Sequence, residues 1–245
     1  MNTQNLQSRR PQDPADHPFT EERRQRYAAA EAVSPKARLP ELASFSHHLA
    51  DGADRMLLEL GSGNGTLTKH LMARGWCIDT VDVAFSPVQG ARRHYQQNLT
   101  EGLPKLVVDR PYDAVVSLAT LHHVVERPDQ LPERLARGIA SVTAAGATVM
   151  LQDVPAPGAV ARRSGEPGAR EARSAADFFA KAVDPLSRPR HSGIYLEMDR
   201  IARQLEGLGF ATETVGWHAC SWQFADYDEL AAFAYSVAHD MKAPL

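Results

Sequence analysis

Short apolar runs alternate along this chain with amphipathic segments. RMLLEL (55–60) is a continuous apolar run ending in glycines, as a strand buried on both faces would read. TLTKHLMARG (66–75) follows with helical spacing and a glycine just past its end, and CIDTVDV (77–83) reads as the next strand. The rhythm then predicts a short helix over about 87–94, a weak strand over 95–98 and a firm strand, YDAVVSLA, over 112–119. A helix over about 129–142 ends before the Ala145-Gly146 turn, and ATVMLQDV (147–154) forms a fifth strand. A helix over 196–208, a strand FATETVGW (210–217) and a helix DELAAFAYSVAH (228–239) close the chain. Strands alternating with helices imply an α/β fold, a doubly wound and mostly parallel sheet with helices on both faces and right-handed crossovers. Six such runs can be counted, so the sheet has six strands, or seven if a very short one follows.

Two regions break the alternation. Residues 1–19 are polar with three prolines and read as a disordered leader. Residues 20–48 turn helical, with a break at Ser34-Pro35, so two helices precede the sheet. After the fifth strand, Pro155, Pro157, Gly158, Gly165, Pro167 and Gly168 mark loop around one helical stretch, SAADFFAKAV. An insertion of this length at the sheet's carboxyl edge is more often functional than decorative, so 155–200 is expected to be a substrate lid. Residues 20–245 then make one domain, which their length allows.

Composition narrows the classes without choosing one. An apolar fraction of 43% and a charged fraction of 23% suit an ordinary globular protein. The net charge of −3 disfavours a broad nucleic-acid footprint. With no apolar stretch long enough for a membrane span and no signal-peptide h-region, a cytoplasmic protein without membrane contact is expected. Cys77 and Cys220 have no metal-ligand spacing and are expected to be reduced thiols, with no metal site.

The chemistry concentrates where the first strand meets the first core helix. Glu59-Leu60-Gly61-Ser62-Gly63-Asn64-Gly65 occupies the place where open α/β sheets bind ligands. A dinucleotide fingerprint needs glycine at 66, and this chain has Thr66, with its third glycine at 65. Glu59 would repel a pyrophosphate but favour a ligand carrying a cationic ammonium and sulfonium. S-adenosylmethionine has both and no phosphate. Asp82, 17 residues after Gly65, ends the second strand where a carboxylate accepts hydrogen bonds from ribose hydroxyls.

These segments resemble the class I methyltransferase family, in its small-molecule branch. LLELGSGNGTL is similar to the family's first motif, TVDVAFSP to its ribose motif, YDAVVSLATLHHV to its fourth-strand motif, and AAGATVMLQDV to the turn and fifth strand. The resemblance is good over about 20–154 and loose beyond. It implies a Rossmann-like sheet, S-adenosyl-L-methionine as cofactor, and a cofactor site formed by Arg38, Glu59, Gly61, Ser62, Gly63, Asp82, Val83, Asn98, Leu99 and Leu118. Asn98 stands where the family usually has an acidic residue at the adenine, and its amide can serve the same edge. Arg38 would meet the cofactor's carboxylate. Ser117-Leu118-Ala119-Thr120 lacks the Pro-Pro loop of enzymes that methylate amide or exocyclic base nitrogens.

His122 and His123 follow the fourth strand, and imidazole titrates near neutral pH. The resemblance implies that His122, oriented by Asp153 at the end of the fifth strand, acts as the catalytic base, with His123 beside it. His191, Tyr195 and Glu197 are candidate inward-facing groups of the lid, and Trp217, His218 and Trp222 candidate substrate walls. The expected reaction is methyl transfer to oxygen, nitrogen or carbon of a small metabolite, in secondary metabolite biosynthesis. Two other readings stand beside it: a protein that keeps the cofactor pocket without transferring methyl, and an RNA or protein methyltransferase. A homodimer is compatible with the sequence. After FATETVGW no seventh strand can be read before a last helix.

Overall fold

The computed structural model describes residues 21–84, 87–106, 110–178, 195–217, 223–230 and 232. Helices α1 (Glu21–Val33) and α2 (Leu39–His48) come first, separated at Ser34-Pro35. Then follow β1 (Met56–Leu60), α3 (Thr66–Met72), β2 (Cys77–Asp82), β3 (Arg93–Gln96), β4 (Tyr112–Leu118), α4 (Glu133–Val142) and β5 (Thr143–Gln152). Beyond the sheet lie α5 (Pro157–Arg162), α6 (Ala169–Phe178) and α7 (Met198–Glu206).

All five strands are parallel, in the order β3-β2-β1-β4-β5. Successive side chains of a strand point to opposite faces, which splits the apolar run of β1 between two cores. Leu58 and Leu60 face a core built with Leu135 and Ile139 of α4 and Ile201 and Leu205 of α7. Leu57 faces the other, with Phe45 of α2 and Leu67 and Leu71 of α3. Strand order reverses between β1 and β4, so the crevice at a switch point opens at their carboxyl ends.

Several expectations change. The sheet has five strands among the described residues, not six or seven, because FATETVGW forms no strand. A strand needs a paired neighbour, and here Phe210 packs partly against the core while 211–214 stay exposed. The helix expected over 87–94 is also absent. Gly90 has φ +88, which helical backbone does not adopt, and a Cβ there would fall 2.4 Å from Met72 Cε. The chain instead turns directly into β3, two residues ahead of the predicted start. At β5 the extra residues between Thr143, opposite Tyr112, and Thr148, opposite Ala114, absorb the Ala145-Gly146 turn as an irregularity of the strand. The last predicted helix begins at about 227, and the rest of its span lies outside the described residues.

One network around a buried carboxylate ties β2 and β4 to the residue just before β3. Asp79 of β2 is fully buried and accepts from Arg92 Nε (2.8 Å), Arg92 Nη2 (2.6 Å) and the Tyr112 hydroxyl (2.7 Å). Burial, then the neighbouring Asp79, holds the Tyr112 hydroxyl well above its ordinary pKa. Asp79→Ala strands the Tyr112 hydroxyl, while the partly exposed Arg92 can rehydrate. The expected cost is about 2 kcal/mol, read as a lower urea midpoint at unchanged slope.

Candidate cofactor cleft and histidine pair

The glycine loop leaves the end of β1 and enters α3. Gly61, at φ +74, passes so close to the end of β4 that a Cβ would lie 2.1 Å from Thr120 Cγ2. Thr120 in turn donates its hydroxyl to the Gly61 carbonyl, 3.1 Å away. Across the loop Asp82 accepts from Gly63 N at 2.8 Å through one carboxylate oxygen and from Ala84 N at 2.8 Å through the other. This single side chain therefore joins the glycine loop to the turn after β2, and each oxygen keeps acceptor capacity.

Glu59 is 2% exposed and takes a hydrogen bond from the Thr68 hydroxyl. Burial pushes its carboxyl up to about 8, and Asp82 adds to this, against the opposing pull of Thr68 and Arg38. The Ser62 hydroxyl is buried with no hydrogen-bond partner among the described residues. A buried unsatisfied donor in a loop that lines a crevice is what a ligand would complete.

The helices before the sheet close over this loop. Glu31 of α1 accepts from Asn64 Nδ2 at 2.8 Å and from the Thr66 hydroxyl, both in the glycine-loop segment. Arg38 pairs with Glu41 at 2.6 Å and Glu31 at 3.4 Å. Burial opposes the guanidinium charge, but the two carboxylates outweigh it and raise its pKa above the ordinary arginine value. Beside these groups lies a cavity of about 190 Å³, lined by Glu31, Ser34, Arg38, Leu42, Thr66 and Lys69 among others. An anion there would share Arg38 with two carboxylates.

The remaining nucleoside candidates surround the turn after β2. Val83 is half-buried and its carbonyl accepts from Gln96 Nε2 at 3.2 Å. Asn98 caps the short helical turn at Leu99–Glu101, accepting from Thr100 N at 3.0 Å. Leu99 and Leu118 are buried in the two cores.

At the end of β4 the backbone passes through Ala119 at φ +51, a left-handed conformation that a residue with a Cβ rarely adopts. His122 follows on a 3-10 turn and is 6% exposed. Its Nδ1 lies 2.7 Å from Asp153 Oδ1, and its backbone N–H donates to Asp153 Oδ2 at 3.2 Å. Asp153 also accepts from Val154 N at 2.7 Å, and its side chain is fully buried. His123 stacks obliquely on His122 with ring centres 3.9 Å apart. The two expected partners at the ends of β4 and β5 thus touch.

The segment after β5 starts and returns at one point. Leu196 N donates to Val154 O at 3.0 Å and Ala156 N to Leu196 O at 2.8 Å, and Glu197 pairs with Arg162 of α5 at 2.8 Å. Trp217 lies under the Arg163 guanidinium, 5.2 Å from its ring centre. His191, His218 and Trp222 lie outside the described residues. Glu31, Thr68, Thr120 and His94 were not read from the sequence, because their roles depend on contacts across 9 to 59 positions that leave no local pattern.

A family profile described as Methyltransferase domain matches residues 21–215. A search of the curated proteins finds no significant match. Among solved structures, the cyclopropane synthase MmaA2 from Mycobacterium tuberculosis aligns at 14% identity and a TM-score of 0.41, covering 76% of this chain and 61% of that one. The sugar N-methyltransferase KedS8 from Streptoalloteichus sp aligns at 16% and 0.34, covering 60% and 51%. Coclaurine N-methyltransferase, solved with N-methylheliamine and SAH, aligns at 15% and 0.35, covering 46% and 34%. The chain therefore spans between about a third and three fifths of the length of these structures. The profile covers most of the chain, from the helices before the sheet to the residues after α7, and by that match the chain belongs to the methyltransferase-domain family.

Proposed function

We propose that this protein transfers a methyl group from S-adenosylmethionine to an oxygen, nitrogen or carbon atom of a small metabolite. The carrying observation is the pair of buried carboxylates at the glycine loop: Glu59 beneath it and Asp82 bound to Gly63 N. Asp82 there disfavours a pyrophosphate and suits ribose hydroxyls, and Glu59, which gives up its proton beside a cation, suits a cationic amino-acid end. The residues present fit that ligand, with the unsatisfied Ser62 hydroxyl as a further polar contact.

When bound, the cofactor supplies an electrophilic methyl group on a sulfonium. The chain's own task is then mainly alignment, since an in-line displacement gains most from holding two reactants close. Asp153 holds His122 with Nδ1–H toward its carboxylate, which leaves Nε2 as the ring's basic atom. In this reading His122 takes the proton of an oxygen or nitrogen nucleophile, and the segment 155–200, of which 179–194 lie outside the described residues, covers the crevice during transfer.

Titration calorimetry tests the cofactor. S-adenosylmethionine and S-adenosylhomocysteine are expected to bind, and NAD to give no heat. Heat from NAD alone would overturn the reading.

A further inference from the structure

The turn after β2 is held from β3 by a histidine that the functional reading does not use. His94 Nε2 lies 2.8 Å from the Ala84 carbonyl, which can only accept, so this nitrogen carries a proton. His94 Nδ1 lies 2.9 Å from the hydroxyl of Thr80, its direct partner in the β2–β3 register. Thr80 is fully buried, so its hydroxyl and the Ala84 carbonyl together hold the ring at both nitrogens. Ala84 is 7% exposed, which leaves its carbonyl little access to water in place of the ring. The same residue's N–H donates to Asp82, and Asp82 accepts from Gly63 N. A continuous chain of hydrogen bonds thus runs from His94 through Ala84 and Asp82 to the glycine loop.

We propose that His94 is a positioning residue for the nucleoside end of the cofactor, acting through Ala84 and Asp82. The inference rests on the cofactor reading above. By holding the Ala84 backbone, whose carbonyl it binds and whose N–H, in the preceding peptide unit, binds Asp82, the imidazole sets where the Asp82 carboxylate points, and with it the acceptor geometry offered to the ribose hydroxyls. Neighbouring Gln96 adds a second hold through the Val83 carbonyl, so β3 contributes to the site by gripping the turn's backbone. The amino-acid end of the ligand, at the glycine loop and the α1–α2 helices, lies outside this chain of bonds except at Gly63.

The test uses two ligands that share the nucleoside and differ at the amino-acid end, S-adenosylhomocysteine and 5′-methylthioadenosine. In His94→Asn the amide reaches only the Nδ1 position and loses Ala84. Both dissociation constants are expected to rise about ten-fold, in the same ratio, as for a lost buried hydrogen bond. In His94→Gln the amide reaches the Nε2 position, and both should return to within about three-fold of wild type. If His94→Asn does not fold, Thr80→Val removes only the hydroxyl that orients the ring, and should raise both constants in parallel by about three-fold. Unchanged affinities at a lowered unfolding midpoint would mean a purely structural histidine and overturn the inference. So would a loss confined to S-adenosylhomocysteine, which would place the effect at the amino-acid end. If the wild-type protein binds neither ligand, the cofactor reading itself falls, an outcome separate from either of these.

Discussion

His122→Ala is expected to lower single-turnover methyl transfer about 100- to 10,000-fold while the affinity for S-adenosylhomocysteine stays near wild type. General-base catalysis is worth roughly that factor when the nucleophile must shed a proton in the transition state. Cofactor affinity should stay near wild type, because a general base acts on the nucleophile's proton in the transition state, and the bonds from His122 to Asp153 run to the end of β5. Asp153→Asn is the more discriminating variant. The Asp153 carboxylate accepts from His122 Nδ1, His122 N and Val154 N, and a neutral amide cannot accept at both ends. With its oxygen at the Oδ1 place the amide still accepts from Nδ1 and Val154 N but sets its NH2 against the His122 N–H. With its NH2 there instead, it strands Val154 N and moves the ring proton to Nε2, and either way the negative charge that supports an imidazolium is lost. Asp153→Asn is therefore expected to lose nearly as much rate as His122→Ala, and the double variant little more than either. Near-wild-type rates in both single variants would mean that alignment carries the reaction and the histidine is scaffold.

The sequence made the β-α-β unit at the glycine loop legible because local signals agreed there. RMLLEL, the glycines and TLTKHLMARG each specify one conformation without help from distant residues, and β1, α3 and β2 lie where those signals put them. The encounter of His122 with Asp153 was also readable, since parallel strands ending at one edge bring their following residues together. What failed depended on partners. FATETVGW has strand propensity but no paired neighbour among the described residues, and Gly90 broke a helix that its flanking residues favoured. The Glu31 contact to Asn64 and Thr66 spans more than thirty positions, and His94 works through a backbone carbonyl, which no side-chain pattern records.

Cofactor binding is expected to release a proton below about pH 8, with affinity rising by up to ten-fold per pH unit from pH 6 and levelling near pH 8. The source is Glu59. Burial, with Asp82 nearby, holds its carboxyl at about 8 in the ligand-free protein, so near neutrality it is largely protonated. A cationic ligand end favours the carboxylate, lowers that pKa on binding and expels the proton. The same shift acts on folding in the opposite sense. Because the folded value lies above that of the unfolded chain, the native state binds more protons in the window between about 4.5 and 8. Glu59 therefore contributes stability that is fully present below that window and is lost as pH rises through about 8, with a slope of at most about 1.4 kcal/mol per unit. Glu59→Gln keeps a hydrogen-bond partner for Thr68 but cannot ionise. It should bind S-adenosylmethionine more weakly at pH 8 and with no pH slope, so that wild type and variant differ by up to about 100-fold more at pH 8 than at pH 6. Calorimetry at pH 6.5 in buffers of different ionisation enthalpy reads the released proton directly. A count near zero in wild type, or equal pH slopes in the two proteins, would show that Glu59 does not titrate with the ligand.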